Sequence, residues 1–250
     1  MPFIYHGTDA SHIDDIFDRG LQPRQSTGRS NWSQDGFESL PGHVYMSRLY
    51  AIYFGMGAVD SLDESIAVYE IDLDRLELDS LYPDEDFIEQ AMRNQNVGIG
   101  RSELVDYNEG IVERTKSVRE NIDEFKEYWN SSLDFFGNIS HKGHIPPEAI
   151  RRVSIINAPS WFYLLIDPTI TIQNAQLVGN KYEFYTEIIF GKKYTAEEAL
   201  VHLYFPHADY ENFNSEIINQ LKESISENQE EQIAQIVSGD YWEVKENPNY

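Results

Sequence analysis

Two stretches of this chain end a run of apolar residues in side chains that move protons or bind polar groups. Phe3-Ile4-Tyr5-His6-Gly7-Thr8 reads as a strand that stops at His-Gly-Thr, and Gly42-His43-Val44-Tyr45-Met46-Ser47 reads as a second strand, followed closely by Tyr50-Ala51-Ile52-Tyr53-Phe54. A lone histidine at a strand end is more often a hydrogen-bonded core residue than a functional one, and the second stretch is what lifts His6 above that reading. His141 and His144 have a spacing that metal pairs use, but no third ligand follows at a recognisable interval, so both read as loop histidines. The chain has no cysteine, which rules out disulfides and thiolate metal sites and suits a reducing cytoplasm.

The elements that would hold these side chains are legible around them. Gly7 lets another group approach the backbone or lets the chain turn. Thr8 or Asp9 can cap a helix over Ser11 to Gly20, where Ile13, Ile16 and Phe17 recur at helical spacing before the stop Gly20-Leu21-Gln22-Pro23. A polar loop, Gln25 to Pro41, leads to the Tyr45 strand and the short aromatic helix. An acidic turn, Asp60 to Glu64, then precedes a strand over Ile66 to Leu73, and Leu76-Glu77-Leu78-Asp79 continues as a second extended piece. Pro83-Asp84-Glu85-Asp86 has the form of a helix start, with acids against the positive end of the dipole and Phe87, Ile88, Ala91 and Met92 as the apolar face. Asn94 to Gly110 reads as a loop and Ile111 to Trp129 as an inserted helix or two. Leu133 to Ile139 reads as a strand, and Arg151 to Ile156 as the closing strand after the double proline at Pro146-Pro147. Beyond Pro168 the pattern turns helical: Ile172, Ala175, Val178, Tyr182, Tyr185 and Ile189 form a stripe, Thr195 to Glu198 a capping box, and Phe213 to Leu221 and Ile233 to Val237 two more helices before a polar, acidic tail.

In its order and rough spacing, the run from Tyr5-His6-Gly7-Thr8 through His43-Val44-Tyr45-Met46-Ser47 resembles the histidine-tyrosine-acid branch of the ADP-ribosyltransferase superfamily. The loop with Trp32 and Asp35-Gly36-Phe37 resembles its diphtheria-toxin-like members, and Phe136-Gly137-Asn138 before Pro146 the rifampin ADP-ribosyltransferase type. The resemblance covers residues 3 to about 156 and leaves out the helical insertion near 100–130 and everything after 168. It implies an α+β fold with a split antiparallel sheet and peripheral helices over residues 1–167, to which the residue pattern adds a helical insertion at about 86–130 and a helical C-terminal extension over 168–250. It also implies NAD as co-substrate: the enzyme would cleave the nicotinamide–ribose bond and pass ADP-ribose to an acceptor it does not identify. By the resemblance, His6 would bond a ribose hydroxyl, the Gly7 backbone the nicotinamide carboxamide, Tyr45 and Tyr53 would pack the ring, Ser47 would line the pocket, and Thr8 would follow as a supporting residue. Arg24, with Arg19, Arg29 and Arg48, is among the few early cations that could meet a pyrophosphate.

The acid is where the chain departs from the diphtheria-like pattern, since the matching position falls near Gly137-Asn138, which has no carboxylate. The rifampin type takes an aspartate soon after the strand that follows its tyrosine, so the resemblance favours Asp79, with Asp84, Glu85 and Glu148 in reserve. Other readings are an inactive binder of NAD or ADP-ribose, a relative of the RNA 2′-phosphotransferases, and an acidic interaction protein without enzymatic activity.

A chain of 250 residues with 41% hydrophobic content can fill a sizeable core. Its net charge of −24 disfavours stable nonspecific binding to nucleic acid, because phosphate contacts need lysine and arginine. The longest wholly apolar run, Trp161 to Ile166, is too short to span a bilayer, and no basic-plus-apolar leader precedes Phe3. These totals point to a soluble, cytoplasmic protein.

Overall fold

A computed structural model of the chain describes residues 3–28, 39–61, 63–93, 99–157, 183–205, 210 and 213–250. Strand β1 is Phe3–Asp9, and Asp9 rather than Thr8 makes the cap, its side chain accepting from the Ser11 N–H at 2.7 Å. A 3-10 turn, Ala10–His12, runs into α1 (Ile13–Arg19). Gly20 closes that helix at φ 76°, a left-handed conformation that favours glycine, and any Cβ there would meet the Ile145 carbonyl oxygen at 2.0 Å. Next come α2 (Arg24–Thr27), β2 (His43–Ser47), α3 (Ala51–Met56) and β3 (Ile66–Asp72).

β3 is buried along its whole length. Its alternation sends Ile66 and Val68 into one core, with α3 and the C-terminal helices, and Ala67, Tyr69 and Ile71 into another, with Ile16 of α1. The chain continues through β4 (Leu81–Pro83), α4 (Glu85–Arg93), α5 (Ile111–Glu120), a 3-10 stretch (Ile122–Tyr128), α6 (Trp129–Phe136), β5 (Asn138–Lys142) and β6 (Ile150–Ile156). A third core forms where α4 and α5 close over Tyr82 of β4. Residues 183–189 are helical, and α7 (Ala196–Tyr204), α8 (Ser215–Ser224), α9 (Glu227–Ser238) and β7 (Trp242–Glu246) complete the described chain.

The fold is α+β, built on a single seven-stranded sheet in the order β4-β5-β2-β1-β3-β6-β7 with every pair antiparallel. β1 pairs with β3 along its length, from Phe3–Asp72 to Asp9–Ile66, whereas among the described residues β1 meets β2 at Tyr5–Ser47 alone. The sheet is therefore continuous but loosely joined at its middle.

Several expectations are corrected. Leu76-Glu77-Leu78-Asp79 is not an extended piece: Leu76 and Leu81 are the buried anchors, Leu78 is 61% exposed, and a 3-10 turn, Leu78–Ser80, spans the interval. The strand expected over Leu133 to Ile139 begins at Asn138. α6 runs to Phe136 and Gly137, at φ 72°, makes the switch with its N–H on the Leu133 carbonyl at 3.0 Å. His141 consequently lies buried within β5 rather than in a loop.

The polar tail holds β7, which pairs with β6 from Arg152–Glu246 to Ile156–Trp242, so residues beyond 168 add a strand to the sheet as well as helices. The last residues are tied down too. Asn247 Nδ2 donates to the Pro147 and Ile150 carbonyls at 2.8 and 2.7 Å, and the Tyr250 hydroxyl donates to Asp72 at 2.9 Å. Trp32 and Asp35-Gly36-Phe37, Arg29, the Trp161 run and the stripe from Ile172 to Tyr182 lie outside the described residues. Among the described residues no helix is long and apolar enough to cross a membrane.

Candidate active site

Past their one pairing, β1 and β2 are joined by a side chain instead of a backbone ladder. His6 Nδ1 lies 2.7 Å from the Tyr45 carbonyl oxygen. A carbonyl only accepts, so Nδ1 carries the proton and Nε2 keeps its lone pair. Burial pushes the His6 pKa down, the bond to Tyr45 opposing it in part, and the ring is held neutral. Gly7, the next residue, is needed for packing: a Cβ there would fall 1.8 Å from the Ala51 carbonyl oxygen and 2.7 Å from the Gly55 N, so α3 can lie on β1 only across a glycine. The close approach for which Gly7 makes room is that of the chain's own helix.

A cavity of about 410 Å³ opens at this parting of the strands, a size that suits a small-molecule ligand. β1 lines it with Tyr5, His6, Gly7 and Thr8, β2 with His43, Val44 and Tyr45, and α3 with Tyr53 and Phe54. His12, Asp15, Gln22 and Arg24 come from the α1–α2 region, Asn138 from β5, Asp84, Glu85 and Asp86 from the start of α4, and Arg119 from α5.

The carboxylates are placed by the local logic of α4. Asp84 Oδ1 accepts from the N–H groups of Asp86 at 2.9 Å and Phe87 at 3.4 Å, which caps the helix. The Asp84 N–H donates to Ser132 Oγ, which donates in turn to the Asn138 carbonyl, fixing this turn to β5. Glu85 is buried, 4% exposed. It accepts from the Tyr45 hydroxyl at 2.9 and 2.7 Å on its two oxygens and from Arg119 Nε at 3.0 Å. The Tyr45 oxygen itself accepts from the Leu40 N–H at 3.0 Å.

Burial raises the pKa of Glu85, against the lowering effects of Arg119 and the Tyr45 hydrogen bond. Asp84 is raised well above the usual carboxylate range, first by burial and then by the charges of Asp86 and Glu85. Tyr45 is held protonated by burial and by Glu85. His43, buried against Tyr82 with Nδ1 2.9 Å from Ser140 Oγ, is pushed down to about 4 by burial and then by Lys142. On the cavity wall Asn138 Oδ1 is buried with no hydrogen-bond partner, an acceptor that a ligand N–H or O–H would satisfy.

Of the residues singled out in the sequence, the cavity brings together His6, Gly7, Thr8, Arg24, Tyr45, Tyr53, Asp84 and Glu85. It leaves out Arg19 and Arg48, and also Ser47, Asp79 and Glu148. Ser47 is fully buried and its Oγ accepts from the N–H groups of Leu49 and Tyr50, shaping the turn into α3. Asp79 projects into solvent, its side chain fully exposed and 3.8 Å from Lys126. Glu148 is exposed on the 3-10 turn Pro147–Ala149, with its carbonyl held by Arg75. Arg119, Asp86 and His43 were missed as site residues. The three consecutive acids at a helix start were the signal for Asp86, whereas nothing near Arg119 in the chain marks its partner.

No family model matches this chain, and no curated protein matches it. Among solved structures it is similar to a protein named EcPltA at 14% identity, over 70% of this chain and 80% of that one, with a TM-score of 0.32, too low a likeness to carry a fold or a function across.

Proposed function

We propose that this chain is an NAD-dependent ADP-ribosyltransferase that cleaves the bond between nicotinamide and ribose and passes ADP-ribose to an acceptor. The observation that carries the reading is the meeting, at one cavity, of a neutral histidine with an unprotonated Nε2, a tyrosine and a buried carboxylate, His6, Tyr45 and Glu85. When the glycosidic bond breaks, its electron pair leaves with the nicotinamide ring, which departs neutral, and positive charge grows on the ribose. A buried anion fixed beside that carbon stabilises the charge as it develops. Glu85 takes this role, which the resemblance had pointed toward Asp79.

The other residues serve binding. His6 accepts a ribose hydroxyl through Nε2, and the rings of Tyr5, Tyr53 and Phe54 offer flat apolar surface to the nicotinamide. Asn138 Oδ1 takes a donor of the ligand, and Arg24 meets the pyrophosphate. Tyr45, expected to pack the ring, spends its hydroxyl on Glu85 and so orients the anion. Incubating the full chain with NAD labelled in the nicotinamide ring tests the reading. Free nicotinamide is expected, and its release should be lost in His6→Ala with the circular dichroism unchanged. Binding without release would identify an inactive binder of NAD or ADP-ribose, and absence of binding would defeat the reading.

A further inference from the structure

Helices α4 and α5 are joined by two buried ion pairs of similar build, of which one reaches the cavity and the other does not. Arg114 Nη2 and Nε lie 2.7 and 2.8 Å from Glu89 Oε1, with side chains 15% and 2% exposed. Arg119 Nε lies 3.0 Å from Glu85 Oε1, with side chains 15% and 5% exposed. The helices run antiparallel, so the earlier acid meets the later arginine. Glu85 and Arg119 line the cavity, whereas Glu89 and Arg114 do not. The second pair is thus a built-in control for what an arginine–glutamate tie does here by packing alone.

We propose that Arg119, carried by a helix outside the stretch that resembles a known family, is a positioning residue that aims the Glu85 carboxylate at the reacting carbon and keeps it ionised there. The groups facing Glu85 make the need plain. Asp86 on its own turn adds negative charge, Asp84 beside it is pushed toward its protonated form by burial, and Tyr45 from β2 donates a hydrogen bond but brings no positive charge. Arg119 from α5 supplies the cation, through a charge-assisted bond that also fixes direction. Burial favours the protonated acid, and Arg119 opposes it. The inserted helix is on this account part of the site.

The inference rests on Glu85 as the anion of the proposed reaction, and its test separates the two. In Arg119→Met the acid limb of the turnover–pH profile should move up by about one to two pH units. Turnover at neutral pH should then fall by roughly tenfold or more and recover in part at alkaline pH, and Arg119→Lys should restore part of the loss. Arg114→Met, which removes the companion tie, should leave the profile where it is. A carboxyl-carbon NMR titration of Glu85 in the unliganded full chain should move in the same direction in Arg119→Met. An unmoved titration overturns the inference, and so does an equal displacement by Arg114→Met, which would mark both arginines as packing residues. If the wild-type chain releases no nicotinamide, the proposed function fails by itself, and the titration still decides Arg119.

Discussion

A glutamate is buried against an arginine both in the sheet and between α4 and α5, and the pairs made by Glu70 and Glu85 differ in what else they touch. On β3, Glu70 is 3% exposed and meets the fork of Arg152, Nε to Oε2 at 2.8 Å and Nη2 to Oε1 at 3.0 Å, with Arg151 Nη1 at 3.3 Å as a second cation. Each oxygen is matched, and neither Glu70 nor Arg152, paired across β3 and β6, lines the cavity. On α4, Glu85 shares its oxygens between Arg119 and the Tyr45 hydroxyl, borders the cavity, and has two more carboxylates beside it. A charge buried in a full guanidinium fork has become part of the packing. One held by a cation and a phenol, with acids crowding it, is poised to respond to whatever enters the cavity.

Breaking the packed pair should have the largest effect, and on stability. Arg152→Met leaves Glu70 buried with Arg151 alone and should lower the unfolding free energy by about 3–5 kcal/mol, read by urea or thermal unfolding, while nicotinamide release per folded molecule stays nearly unchanged. A comparable loss of turnover would erase the distinction between the two glutamates. Next in size is Glu85→Gln, which keeps the side chain's volume and removes its charge. Turnover should fall by about 10²–10³, or roughly 3–4 kcal/mol of barrier, with less loss of stability than in Arg152→Met.

Acid sharpens the contrast further, because neutral buried histidines lie on the cavity side. The folded pKa of His43, about 4, lies below its ordinary 6.5. Its contribution to stability is therefore complete above pH 6.5 and is lost as pH falls toward 4, when the unfolded chain binds the proton and the folded chain resists it. Going from pH 8 to pH 5 should cost about 2 kcal/mol through this residue, seen as the difference between wild type and His43→Gln. The raised carboxylates Asp84 and Glu85 act in the opposite sense, lending stability that is lost as pH rises through their folded pKa values. They titrate in both proteins, as does His6, and cancel in that difference. Parallel pH curves for the two proteins would show that another group carries the acid response.

Much of this was legible where local chemistry decides the outcome. β-branched and aromatic runs announced β1, β2, β3 and β6, Gly20 announced the end of α1, and the Thr195–Glu198 capping box is formed. His6 and Tyr45 stood out in their strands, whereas Glu85 was only one of three reserve acids behind Asp79. Less could be read where the decision is tertiary. β7 carries mostly exposed side chains on an edge strand, so Trp242–Glu246 shows no buried face to mark it as more than a polar tail. The switch from α6 to β5 turns on one left-handed glycine, Gly137, inside an apolar stretch. The tie of Arg119 to Glu85 joins residues 34 apart, and no local pattern records it.

Asp79 is where that local reading misled, and it yields the smallest expected effect. Leu76-Glu77-Leu78-Asp79 alternates like a strand that would aim both acids at one face. Instead the chain is pinned by Leu76 and Leu81, 7% and 0% exposed, and the residues between them turn outward. The Ser80 N–H closes on the Glu77 carbonyl at 2.8 Å, and Asp79 is left in solvent facing Lys126. A surface pair of this kind contributes little, because water screens it and two long side chains must be held still. Asp79→Asn should therefore leave nicotinamide release within about twofold of wild type and stability within about 0.5 kcal/mol, measured beside Glu85→Gln under the same conditions. If Asp79→Asn stopped the reaction while Glu85→Gln did not, the anion would have to come from outside the cavity by a rearrangement of the 78–80 turn, and the assignment of Glu85 would fall with it.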